Sequence, residues 1–230
     1  MHRWALAGDP HGLAIGRDGT IYVGLAQPQA VVAIDPKNGT VKQQVVLDSA
    51  EIASTKELVT LRLNRDKTRL YVANGSDESA SILALPDLRV VREITMEGEP
   101  IRDALPDPSG RYLYLLGRRI HVFDAKGETE LHTLTVDDAS AIAATASTLA
   151  VATGSEIISF DTTTFGEKRR VPTATKPVGT VIFAPNGVPV GLASEGARYG
   201  VDAYAVALDD GGRTVAATER AGYLTIYKVK

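Results

Sequence analysis

A four-part pattern recurs along this chain, and it constrains the fold more than any single residue does. Residues 12–47, GLAIGRDGTIYVGLAQPQAVVAIDPKNGTVKQQVVL, read as an apolar run, a polar turn at Arg17-Asp18-Gly19 and a run carrying Tyr22 and Val23. A run ending at Ile34-Asp35 follows, then a turn at Asn38-Gly39 and an alternating run from Val41. Residues 58–96, LVTLRLNRDKTRLYVANGSDESASILALPDLRVVREITM, repeat this run for run. Four short strands with turn residues between them cannot bury both faces alone, so such units stack. At a repeat length of roughly 40 to 45 residues, each unit is one blade of a β-propeller.

Counting fixes the register. The marker of the second strand falls at Tyr22, Tyr71 and Tyr114, then at Ala150, Val190 and Ala216, which predicts six blades, with five or seven as the alternatives. The end of the third strand falls at Asp35, Pro86, Asp124, Asp161 and Lys228, and its last interval of 67 residues is too long for one blade and too short for two. That interval holds one extra hairpin, TVIFAPNGVPVGLAS (residues 180–194), so the fifth blade is predicted to have lost or shortened its outer strands.

The ends supply a closure signal. Ala7-Gly8-Asp9-Pro10 matches Glu97-Gly98-Glu99-Pro100, a link between an outer strand and the next inner strand, which makes residues 3–6 an outer strand. The last strand, GYLTIYKVK, is a third strand with no fourth behind it. The N-terminal strand is therefore predicted to complete the last blade beside residues 224–229, removing an open sheet edge.

The segment LYVAN (residues 70–74), preceded by NRDKTR and followed by SILALPDLRVV, closely resembles the YVTN type of β-propeller repeat, with IYVGL and YLYLLG as weaker copies. The resemblance covers most of the chain and rests on a strand-packing motif. It implies a propeller akin to bacterial surface and periplasmic binding propellers, lactonase-like enzymes or the propeller subunits of quinone-dependent dehydrogenases. The common members have seven blades, one more than are counted here.

Composition narrows the classes. A closed β ring of 230 residues is ordinarily a single domain, and 44% hydrophobic residues supply cores between blades. A net charge of −3 gives no electrostatic case for nucleic acid, and the run Glu167-Lys168-Arg169-Arg170 reads as a solvated outer strand. No apolar stretch approaches the ~20 residues that span a bilayer. Absence of cysteine excludes disulfides, thiolate metal sites and cysteine nucleophiles. The N-terminus has no apolar signal core, leaving two expectations open: an exported chain whose signal has been removed, toward which the resemblance points, or a cytoplasmic one.

Ligand chemistry belongs where the loops joining outer to inner strands, and second to third strands, gather around the channel. His11 opens the first inner strand where other copies carry Ile101 and Val178, and a histidine there suits a base or a ligand. Arg102-Asp103 opens another inner strand, and Arg62 stands where it could face the same space. Two arginines and a histidine would make a mouth for carboxylate or phosphate. The opposing reading is that His11 is a hydrogen-bonded loop residue and that Arg102 and Asp103 bridge adjacent blades. Asp77-Glu78 and Asp137-Asp138 lack calcium-loop spacing and read as turns. The histidines are too scattered for a metal site, and no P-loop, dinucleotide fingerprint or nucleophile elbow is present, so neither metal nor cofactor is predicted.

Two function classes follow. The first, favoured by the lack of convergent acid, base and metal groups, is a binding module for a protein, peptide or small ligand. The second is an enzyme or enzyme subunit with His11, Arg62, Arg102 and Asp103 lining the channel. The segment SEGARYG, with Arg198 and Tyr199 in the abbreviated fifth blade, has two equal readings: an interface through which the chain could also self-associate, because Arg and Tyr are enriched at binding hot spots, or a loop folded back to cover its own blade.

Overall fold

The structure is a computed structural model, which describes residues 2–26, 28–47, 59–74, 78–153, 156–172, 180–183, 189–192, 203–208, 214–219 and 223–228. Its described residues form antiparallel sheets and no helix. The first sheet runs β2 (Pro10–Ile15), β3 (Ile21–Ala26), β4 (Gln29–Ile34) and β5 (Val41–Val46), in sequence order from the inner strand outward. The second repeats it with β6 (Val59–Leu63), β7 (Arg69–Asn74), β8 (Ser79–Ala84) and β9 (Arg89–Thr95). The third holds β10 (Asp103–Pro106), β11 (Tyr112–Leu116), β12 (Ile120–Asp124) and β13 (Glu130–Leu134). The fourth holds β14 (Ala141–Ala144), β15 (Thr148–Ala152), β16 (Glu156–Asp161) and β17 (Glu167–Pro172). Among the described residues the fifth sheet has two strands, β18 (Thr180–Phe183) and β19 (Pro189–Leu192). The sixth has β20 (Ala203–Leu208), β21 (Thr214–Glu219) and β22 (Tyr223–Lys228), and its outer place is taken by β1 (His2–Ala5).

The N-terminal strand thus pairs as the closure signal predicts, His2 opposite Ile226 and Ala5 opposite Tyr223. Each marker of the second strand, from Tyr22 to Ala216, lies within a second strand. Inner strands pack in the order β20, β2, β6, β10, β14, β18. Where β2 meets β6 the backbones nearly touch. A Cβ added at Gly12 would lie 2.2 Å from the Val59 carbonyl oxygen, so only glycine fits.

Because side chains alternate across a strand, each central strand feeds two cores. Tyr22, Val31 and Ala33 face Leu61, Leu70 and Val72 between the first and second sheets. Tyr71 and Ile82 meet Leu113 and Phe123 between the second and third, and Tyr114 and Val122 meet Leu149 and Val151 between the third and fourth. The repeated tyrosine fills the same place in three successive junctions, and burial pushes the Tyr22 phenol up to about 12. The Tyr114 hydroxyl is buried without a hydrogen-bond partner among the described residues.

The turn acids are structural. Asp18 accepts the Thr20 N–H at 3.0 Å, and Asp107 accepts that of Arg111 at 3.2 Å. Asp35 and Asp161 close the outer hairpins by accepting N–H groups of Lys37 and Thr163, both at 2.8 Å. The Asp137-Asp138 pair occupies a turn with Asp138 at φ 55°. Asp77 lies outside the described residues.

Candidate functional site

Arg62 on β6 and Asp103 on β10 do meet. The guanidinium donates from Nε to Oδ1 at 3.1 Å and from Nη2 to Oδ2 at 2.9 Å, a two-pronged pair between neighbouring inner strands. The adjacent Arg102 turns elsewhere. Its Nη2 donates to the carbonyls of Gly117 at 2.5 Å and Ala139 at 2.8 Å, tying the β11–β12 turn to the link that enters the fourth sheet. The Arg102 carbonyl accepts the Thr60 hydroxyl at 3.1 Å.

His11, on β2, is buried, and its Nε2 lies 3.5 Å from Asp9 Oδ2. Burial holds the imidazole below its ordinary range, with the Asp9 carboxylate pulling the other way. Arg198 and Tyr199 lie outside the described residues, as does most of the fifth-sheet irregularity.

A second polar cluster escaped the sequence reading. Glu99, in the link between the second and third sheets, accepts the Arg119 backbone N–H at 2.7 Å and its guanidinium at 3.2 Å. His121 on β12 presents Nε2 to the same carboxylate at 3.1 Å, without the alignment of a hydrogen bond, while its Nδ1 lies 2.7 Å from Glu130. Gly117 makes room: a Cβ there would lie 2.6 Å from Glu99 Oε1. Burial pushes the Glu99 carboxyl up, but the Arg119 N–H and the His121 and Arg119 side chains outweigh it and hold it below 4.5. The signal was present in the matched links GDP and GEP, since Asp9 and Glu99 occupy one repeat position and both reach a histidine of the sheet that follows.

Cavities lie at the loop end where sheets meet. One of about 300 Å³ sits between the first and second sheets, over Val59 and Val72 and beside Ser79, Ser81 and Glu93. Another of about 400 Å³ sits between the third and fourth, beside Asp137, Glu156, Glu167 and Arg170. None of His11, Arg62, Arg102 and Asp103 lines either cavity.

No protein-family model matches this sequence, and no curated protein does. Solved structures do match. The β-propeller domain of Myceliophteria thermophila Cps50 (Swd1) superposes with a TM-score of 0.69 at 15% identity, covering 99% of this chain and 88% of that one. A chain of the mitotic checkpoint complex gives 0.60 at 13% identity, with 99% and 91% covered. With four-stranded antiparallel sheets recurring along the chain, the fold is a β-propeller.

Proposed function

We propose that this chain is a non-catalytic binding propeller, built from YVTN-type repeats, which recognises a protein or peptide across its loop-bearing face. The observation carrying the reading is the placement of concave surface: both cavities open at the loop end, in the furrows between sheets, where an extended segment can lie. The residues best suited to channel chemistry are engaged with each other or with backbone carbonyls, as Arg62, Asp103 and Arg102 are. A structural neighbour, the chain of the mitotic checkpoint complex, was itself solved within a complex.

Selection of a displayed random-peptide library on the full chain tests this. Enriched peptides should lose binding when charges on the loop face are reversed, as in Arg118→Glu or Asp137→Lys. They should be indifferent to Arg17→Glu and Lys37→Glu on the opposite hairpins. Dependence on the opposite hairpins would overturn the reading, as would an absence of enriched peptides.

A further inference from the structure

Three junctions between consecutive sheets can be compared at one structural position. In the second sheet, Val72, Ser81 and Glu93 form a row across β7, β8 and β9. The equivalent row in the third sheet is Leu115, His121 and Thr133, and in the fourth Val151, Ile158 and Arg170. All three rows face the preceding sheet near the loop end.

At two junctions the chain neutralises its own acids. Glu99 is met by Arg119 and His121 between the second and third sheets. Between the third and fourth, the Arg170 guanidinium lies 2.7 Å from Glu156 and 2.8 Å from Glu167. The junction between the first and second sheets departs from this pattern. Its cavity is lined by Glu78 and Glu93 with no cation among its described lining residues, and neither glutamate forms an ion pair with a described residue. The Ser81 hydroxyl, on a residue only 9% exposed, lines the same cavity without a hydrogen-bond partner among the described residues. Ser79 and Thr95, paired across β8 and β9, extend the polar wall, while Val59 and Val72 form an apolar floor.

We infer that this furrow is a receptor for one basic side chain of a partner protein or peptide, an arginine or lysine whose cation takes the place that Arg170 and Arg119 fill at the other junctions. The alkyl stem lies on Val59 and Val72, the charged head meets Glu93 and Glu78, and Ser81 accepts a hydrogen bond from it. A cavity of about 300 Å³ stands at the small end of ligand pockets and suits one long side chain. Long cationic side chains bury their stems along apolar surface in this manner. The inference rests on the binding reading above and names the chemistry recognised in one furrow.

The experiment is a ¹⁵N amide titration of the full chain with N-acetyl-arginine methylamide, its lysine counterpart and the uncharged citrulline analogue. The two cations should shift the amides of Ser79, Ser81, Glu93 and Thr95 saturably, and citrulline should not. Glu93→Gln, on an exposed strand position, should weaken the cations about tenfold, the loss of one charge-assisted hydrogen bond, with an unchanged melting temperature. Ser81→Ala should weaken them less, and Glu97→Gln not at all. Equal shifts by citrulline, or cation binding indifferent to Glu93→Gln, overturns the inference while leaving peptide binding by the loop face standing on its own test.

Discussion

Asp103 keeps 6% of its side chain exposed and its partner Arg62 keeps 37%, so the two halves of this pair have different alternatives when separated. Arg62, separated from Asp103, still has its guanidinium within reach of water. Asp103, separated from Arg62, stays buried among packed inner strands. Arg62→Ala should therefore cost about 3 kcal/mol, as for a buried charge stripped of its partner, and Asp103→Ala nearer 1 kcal/mol, as for an exposed pair. A double-mutant cycle in urea checks both numbers and the coupling; equal costs would mean that Asp103 finds water. Acid sensitivity divides by residue as well. His11 is buried with a lowered pKa, so the unfolded chain protonates first and stability is lost as pH falls below 6.5 toward the folded value. Glu99 and Glu130 are also lowered, so their stabilisation is full above 4.5 and is lost as pH falls through their folded values. Melting temperature against pH should show both windows, with His11→Asn flattening the upper and Glu99→Gln the lower. The sequence placed His11, Arg62, Arg102 and Asp103 at inner-strand mouths but could not assign their partners. Partner choice depends on segments 15 to 41 residues away, in the same sheet for the Arg102–Gly117 contact and in the neighbouring sheet for Arg62–Asp103.

At the scale of elements, the third and fourth strands of the first four sheets share a feature that no residue pattern announces. The ladder slips between Ala33 and Ile34, Ile82 and Leu83, Val122 and Phe123, and Ser159 and Phe160, the same place each time. A bulge there sharpens the local twist of the outer strand. Strand positions were legible because alternation and turn residues are local signals, and bulges were not, because they answer to twist. The outer strands these bulges bend are edges, and they are blunted with charge. In β17 Glu167, Lys168, Arg169 and Arg170 are all exposed, as their sequence implied. Replacing Lys168 and Arg169 by Val should leave the melting temperature of the dilute protein little changed, since exposed charge pairs contribute weakly, but should bring on concentration-dependent aggregation visible in light scattering. A variant that stays monodisperse at high concentration would show that the bulge alone protects this edge.

At the scale of the molecule, the sheets that meet through β1 are the last and the first in sequence, so one short strand joins the two ends of the chain's order. Backbone pairing fastens β1 to β22 in the last sheet, and Trp4 carries the strand's other contact. Its ring packs, with Leu6, against the first-sheet core of Leu13, Val23 and Val32. The ring also covers Gly39 in the turn after β4: a Cβ there would lie 2.4 Å from Trp4 Cδ1, and the backbone stands at φ 75°, so the site suits glycine twice over. Trp4→Ala should therefore uncouple the first sheet from the last as well as remove apolar surface. Trp4 is only partly buried, so the cost should fall below the 3 to 5 kcal/mol of a full core truncation, at about 2 kcal/mol. Its distribution tells closure apart from general stabilisation. Native-state hydrogen exchange should rise first along β1, β22 and β2, while β11, β12, β15 and β16 keep their protection, because an opened junction frees its flanking sheets before the packed middle of the series. Loss of protection by the same amount in every sheet would mean that Trp4 stabilises the fold globally and that closure resides in the inner strands β2 and β20.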